Sequence, residues 1–203
     1  DVCMVGSGID MSHPDLSGLK LAEWSDFIGS RSNPYDDHGH GTMMAGILVA
    51  DGALTGIAVD INLYVAKALS GSGEGDDTTV AQAIDWCVSK NVNIISLSLG
   101  GNASGFSIIL GDAVEESVEN AYEAGIVVIA AAGNDGQNDD GDVSSPGIVD
   151  TVICVGGVDV NGNLWDGSSI GDNNGRIWPP MLPRNSPDEK PEVVAPGHKV
   201  PVI

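Results

Sequence analysis

The sequence predicts an α/β domain: a mostly parallel central sheet in a three-layer α/β/α arrangement. Three observations carry this. Short Val/Ile-rich runs of strand length recur at residues 2–5, 61–69, 92–99, 126–132, 151–158 and 192–195. Most are almost continuously apolar, as strands covered on both faces must be. Amphipathic stretches of helical spacing lie between them, which places helices on both faces of the sheet.

The opening run, V-C-M-V, leads into the glycine-rich loop V-G-S-G-I-D at 5–10. Residues 41–50, G-T-M-M-A-G-I-L-V-A, form a helix in which small Ala45 and Gly46 allow close packing. The strand at 61–69 ends in S-G-S-G-E-G-D-D at 70–77. In 78–90, Val80, Ala83, Ile84, Cys87 and Val88 fall on one helical stripe. Val114, Ser117, Val118 and Ala121 repeat the spacing in 112–124, and Gly125 is placed to end that helix in a left-handed turn. The strands at 92–99 and 126–132 run into G-G-N (100–102) and G-N-D-G (133–136). Residues 165–191, rich in Gly, Asn, Pro and charge, read as loop before the last strand. Sites in such sheets open at the carboxyl ends of the strands, so the loops after residues 5, 69, 99 and 132 are the ones to inspect. Glycine there lets a backbone approach a ligand closely.

Charge narrows the partners. The 203 residues hold 29 acidic and 8 basic side chains, a net charge of −21. Such a field repels phosphate backbones and anionic lipid, which argues against nucleic acid and membrane surfaces as partners. No apolar run reaches the roughly 18 residues that span a bilayer. A hydrophobic content of 42% excludes the disorder that high charge otherwise suggests. Asp outnumbers Glu and Lys is scarce, which favours adaptation to strong brine over an ordinary solvated acidic surface. Cys3, Cys87 and Cys154 all sit in apolar runs and are odd in number, so they read as buried free thiols.

Three chemistries compete for the loops. Dinucleotide binding fails because the third glycine of G-x-G-x-x-G would fall at Met11, and Pro14 follows too closely. For metal, Asp36, Asp37, His38 and His40 lack zinc spacing, and an EF-hand register through Asp139, Asp140 and Asp142 puts Gly136 at the first ligand position. Asp159 to Asn163 reads as a hairpin turn built on Asn-Gly. Hydrolysis fares better. H-G-T at 40–42 opens a helix and sets the imidazole of His40 at a strand-end cleft, while A-A-G-N at 131–134 sets the Asn134 amide at another strand end. An amide so placed can donate to a developing oxyanion.

Five segments then occur in one order: S-G-I-D-M-S-H-P-D-L (7–16), D-D-H-G-H-G-T-M-M-A-G-I (36–47), S-L-S-L-G-G (96–101), A-A-A-G-N (130–134) and K-P-E-V-V-A-P-G (190–197). Over nearly its whole length the chain resembles the subtilisin-like serine proteases, the subtilases, and its acidity is similar to that of their halophilic archaeal members. The resemblance implies a subtilisin-like fold, a secreted endopeptidase acting on extended polypeptides, and a monomer. It makes His40 the general base and Asn134 the oxyanion donor. It makes Ser98, Leu99 and Gly100 a strand that pairs with substrate, with Gly71, Ser72 and Gly73 on the opposite edge. Ala131, Ala132 and Gly133 would line the primary specificity pocket, small enough to admit large apolar groups. No cofactor is expected for the chemistry; structural Ca2+ is compatible with the carboxylate-rich loops, without a ligand set that can be named.

The chain departs from the family pattern at three places. Gly6 stands where the family has the triad aspartate, and Asp10, beyond a turn, is no substitute. The nucleophile segment G-T-S-x-A-x-P, which the family places after V-A-P-G, is absent. Ser144, Ser145, Ser168, Ser169 and Ser186 stand in loop contexts unsuited to an exposed nucleophile. Met43 replaces the second His of H-G-T-H. The expectation is one catalytic domain over 1–203, incomplete at both ends and inactive as written; the alternative is a non-catalytic peptide-binding module, a pseudoprotease.

Overall fold

Among the described residues, seven strands form one wholly parallel sheet: β1 (Val2–Gly6), β2 (Glu23–Asp26), β3 (Leu63–Lys67), β4 (Ile94–Leu97), β5 (Val127–Ala131), β6 (Ile153–Val158) and β7 (Val193–Pro196). Their spatial order is β2-β3-β1-β4-β5-β6-β7, so β1 lies inside the sheet and the chain winds outward on both sides of it. The computed structural model describes residues 1–101, 113–136, 143–171 and 190–203. Asp139, Asp140 and Asp142, weighed above as calcium ligands, lie outside those residues, as do Ser186 and most of the 165–191 loop.

Strand alternation sorts the core into two layers. Cys3 and Val5 of β1 point to one face, where they join Ala66, Ile95, Leu97, Val128 and Ala130 under helices α2 (Asp77–Ser89) and α3 (Ala113–Glu123). Met4 points to the other face and packs with Leu63, Val65, Ala45 and Val49 under α1 (His40–Val49). Both outer helices start and stop where local chemistry directs. The Asp76 side chain accepts the Thr79 amide (3.0 Å) and hydroxyl (2.7 Å) at the start of α2. Gly125 adopts φ +80° after α3, and Ile126 N–H reaches back to the Ala121 carbonyl (3.0 Å), the six-residue closure of a Schellman turn.

Two expectations are corrected. Cys3 and Cys87 are not free thiols: they form a disulfide, with their Cα atoms 5.8 Å apart. Cys3 faces the α2 layer, and Cys87 lies on the buried stripe of that helix, so packing α2 on β1 brings the two together. Cys154 alone remains free and buried. The second correction is β2, E-W-S-D, where no strand is expected. It is an edge strand beside β3, polar and partly exposed, so it lacks the apolar run that marks the others.

The α1 face is covered unevenly. Beyond α1 it continues across β4 to β7, where Ser96, Ile129, Val155 and Ala195 line a cavity of about 560 Å³ together with Met44 and Ile47 of α1. On the same face Val127, Ile153 and Val193 are 39–47% exposed.

Candidate active site

Helix α1 is capped from outside itself. Its N-cap residue, Gly39, has φ +96° and no side chain to offer. Asp36 Oδ2 instead accepts the Thr42 amide (2.8 Å) and hydroxyl (2.7 Å), and Ser7 Oγ accepts the Gly41 amide (2.8 Å). The Ser7 hydroxyl donates in turn to Asp36 Oδ1 (2.9 Å). Two of the otherwise unpaired first-turn N–H groups are thus satisfied, and the start of α1 is tied to the end of β1. The approach is tight enough that a Cβ on Gly41 would overlap the Gly8 carbonyl, which explains the glycine of H-G-T.

This docking sets His40 at the carboxyl end of β1. Gly6 follows Met4 by two residues and so faces the same α1 layer. It is buried, yet a Cβ built on it meets no atom within 4 Å. The His40 imidazole makes no hydrogen bond to a described residue; the His38 ring is its near neighbour, 6.2 Å between centroids. Desolvation lowers the His40 pKa, the neighbouring His38 lowers it further, and Asp36 pulls weakly the other way. Asp10 does not serve His40, because its carboxylate accepts the Ser12 amide (2.9 Å) and hydroxyl (2.6 Å).

A cavity of about 600 Å³ opens beside the imidazole, bordered by His38 and His40, by Ser72 and Gly73, and by Ser98, Leu99, Gly100 and Asn134. The β4–β5 ladder stops at Leu97, and the next pairing is a lone antiparallel bridge from Gly101 to Ser145. Residues 70–74 form a turn, closed by Ser70 N–H to Glu74 O (2.8 Å) and Gly73 N–H to Ser70 O (3.0 Å). Gly71 does not border the cavity; a Cβ there would lie 3.2 Å from Asp37 Cγ. A smaller hollow of about 290 Å³ is lined by Leu99, Gly100, Ala131, Gly133, Asn134 and Ser144. Ala132 does not line it; it packs inward with Val143 and Cys154. Asn134 is exposed at the junction of these hollows, its segment fixed by Ser169 N–H to Gly133 O (3.1 Å) and Asp135 N–H to Ser169 Oγ (3.0 Å).

Two residues of this region escape sequence reading. Ser144 borders the smaller hollow so closely that a Cβ on Gly133 would lie 2.6 Å from its Oγ; nothing in its local sequence announces this. Lys67 is fully buried, and a lone lysine inside the apolar run 61–69 was the available signal.

The family model described as Peptidase S8, Subtilase family, matches residues 1–202. The chain belongs to the subtilase family. It is 35% identical over 208 residues to Serine protease AprX of Bacillus subtilis (strain 168), covering 97% of this chain and 46% of that protein. Subtilisin DY of Bacillus licheniformis is 36% identical over 174 residues (84% of this chain, 60% of that protein). The chain thus spans about half the length of these curated relatives. A crystal structure of a cold adapted subtilisin-like serine proteinase superposes with a TM-score of 0.74 at 23% identity, over 97% of this chain and 62% of that one, which shows the shared fold.

In this subtilase domain the capping carboxylate is also an acid-sensitive joint. Burial alone would raise the Asp36 pKa, but hydrogen bonds from Thr42, Gly39 and His38 outweigh it and hold the value at about 2. Asp36 binds protons more weakly folded than unfolded, so its contribution is complete above about pH 4, near the ordinary Asp value. It drains away as pH falls from there to about 2. Urea midpoints measured from pH 5 to pH 2 should fall less steeply in Asp36→Asn than in the parent; parallel slopes would remove Asp36 from the acid-sensitive set.

Proposed function

We propose that the chain is the substrate-binding and general-base portion of a secreted serine endopeptidase domain. His40 is the general base, Asn134 donates to the oxyanion, and Ser98, Leu99 and Gly100 hold an extended peptide by its main chain. Ala131 and Gly133, with Ser144 beside them, form the pocket that grades the substrate side chain. The nucleophile belongs to a G-T-S-x-A-x-P segment following V-A-P-G. The observation that carries this reading is the convergence of His40, Asn134 and residues 98–100 on one cavity, from three separate strand ends.

In this reading His40 lacks the carboxylate partner that residue 6 would supply, and cleavage needs both that carboxylate and a nucleophile from outside residues 1–203. Gly6, buried with open space beside it, also supports a second reading, a pseudoprotease that binds peptides without cutting them. The decisive experiment joins the chain to a G-T-S-x-A-x-P segment and compares Gly6 with Gly6→Asp on an unfolded protein substrate. Faster cleavage by Gly6→Asp supports the endopeptidase; equal rates overturn the triad assignment. A reading frame that continues into the nucleophile segment favours the endopeptidase, and a stop after Ile203 the binding module.

The working environment is part of the proposal. The Cys3–Cys87 disulfide fits an oxidising, extracellular compartment. Lys67 and Lys190 are buried, Lys190 donating to the Val149 (2.8 Å) and Val152 (2.7 Å) carbonyls, so few cations remain on a strongly acidic exterior. Salt that screens this self-repulsion stabilises the fold. The melting temperature should therefore rise between low and molar NaCl; a flat or falling trend would overturn the brine adaptation.

A further inference from the structure

We infer that Lys67 is a positioning residue that fixes two adjoining walls of the peptide cavity against each other, the His38–His40 loop and the 70–74 turn, a role that rests on reading that cavity as a peptide site. Lys67 ends β3 and has no solvent exposure. Its ammonium has three N–H donors, and each finds an acceptor on a different segment. One goes to the Ser7 carbonyl (2.5 Å), at the end of β1 where Ser7 also caps α1. One goes to Asp37 Oδ1 (2.6 Å), in the loop that delivers His38 and His40. The third goes to the Leu69 carbonyl (2.9 Å), at the root of the 70–74 turn. The Tyr35 ring closes over the ammonium at 4.7 Å.

The two walls meet side by side around this point. Gly71 abuts the Asp37 carboxyl, with only 3.2 Å between a Cβ at residue 71 and Asp37 Cγ, and Gly73 abuts the His38 ring, 2.7 Å from a Cβ at residue 73 to Nε2. Glycines let the turn and the loop touch, but they supply no directional bond between them. Lys67 supplies it. A buried ammonium is tolerated only with its partners in place, so the three segments are held in one mutual arrangement rather than several. Asp37 is half exposed and can hydrate if released, whereas the Ser7 carbonyl is buried and cannot. Loss of the ammonium therefore frees the His38 loop and the 70–74 turn from one another.

The test uses Lys67→Met, which keeps most of the apolar stem and removes the donors, with Asp37→Ala as a milder second variant at a half-exposed site. A dye-labelled Ala-Ala-Ala-Leu-Ala-Ala peptide reports binding, amide hydrogen exchange reports the 70–74 turn, and nuclear Overhauser contacts report the His38–His40 ring pair. Lys67→Met should weaken peptide binding tenfold or more and speed exchange at 70–74 by at least tenfold, with loss of the ring contacts. Exchange in α3 and β5, remote from Lys67, should stay within twofold, an outcome that general destabilisation would not give. Asp37→Ala should shift binding and exchange in the same direction by threefold or more, and it decides the matter if Lys67→Met does not fold. Peptide affinity and 70–74 exchange within twofold of the parent in a folded variant would overturn the role. If the parent itself binds no peptide, the peptide-site reading fails, while exchange and the ring contacts still decide whether Lys67 ties the two walls.

Discussion

A carboxylate restored at residue 6 is expected to raise kcat by roughly 10⁴, about 5.5 kcal/mol of barrier, in a chain that carries the nucleophile segment. Losses of that order on removing the triad aspartate are typical of serine proteases, subtilisin among them. What the structure adds is that the substitution fits. Gly6 is not among the residues of positive φ, so an L side chain needs no backbone change there. A Cβ at residue 6 meets nothing within 4 Å, on the face toward the N-terminal turn of α1. Ser7 and Asp36 already hold that turn in place, so the new carboxylate orients an imidazole whose backbone is fixed. An adjacent anion also favours imidazolium and should reverse part of the lowering of the His40 pKa that desolvation causes. Gly6→Asn separates charge from shape, because it fills the same space without the carboxylate. If Gly6→Asn matches Gly6→Asp in kcat, the gain comes from packing and the triad assignment is wrong.

Removing the Cys3–Cys87 bond should cost about 4.6 kcal/mol by the loop-entropy relation, since it closes a loop of 84 residues. For a domain of this size that corresponds to a fall in Tm of roughly 9–18 °C. The bond joins an inner strand to the helix that covers it, so its loss loosens β1 at its α2 face. Two measurements check this: thermal unfolding of the double variant Cys3→Ala, Cys87→Ala, and of the parent after reduction. Both should fall together, and a parent whose Tm is insensitive to reductant would show that the cross-link does not contribute. Cys154 should play no part, because burial, reinforced by Glu192 beside it, pushes its thiol up to about 12.

The sheet was legible in its apolar strands. Six strands appear as apolar runs: β1 and β3 because they are buried on both faces, β5 to β7 although one of their faces is partly open, with Val127, Ile153 and Val193 exposed there. β2 was not, because an edge strand reading E-W-S-D needs only backbone partners from β3. The helix stripes at Val80 and Val114 and the Gly125 turn were legible because capping and spacing are local properties. The disulfide was not, since it depends on how α2 lies against β1, a contact between residues 84 positions apart. At the site, His40 and Asn134 stood out through short motifs, and the structure brings both to one cavity. The 70–77 loop was legible from its glycines, and within it 70–74 closes as a turn because Ser70 and Gly73 satisfy their amides there. Lys67 gave one hint, a cation inside an apolar strand, without the three acceptors that give it meaning.

The inner position of β1 has a consequence for synthesis. Its neighbours β3 and β4 start at Leu63 and Ile94, so β1 must wait for about 90 further residues before both of its edges can be paired. At roughly 5–20 residues per second, that is several seconds with V-C-M-V exposed on a nascent chain. An unpaired apolar strand is a template for pairing with other chains. A hazard for this domain therefore arises during translation, and slower elongation through residues 7–97 should lower soluble yield.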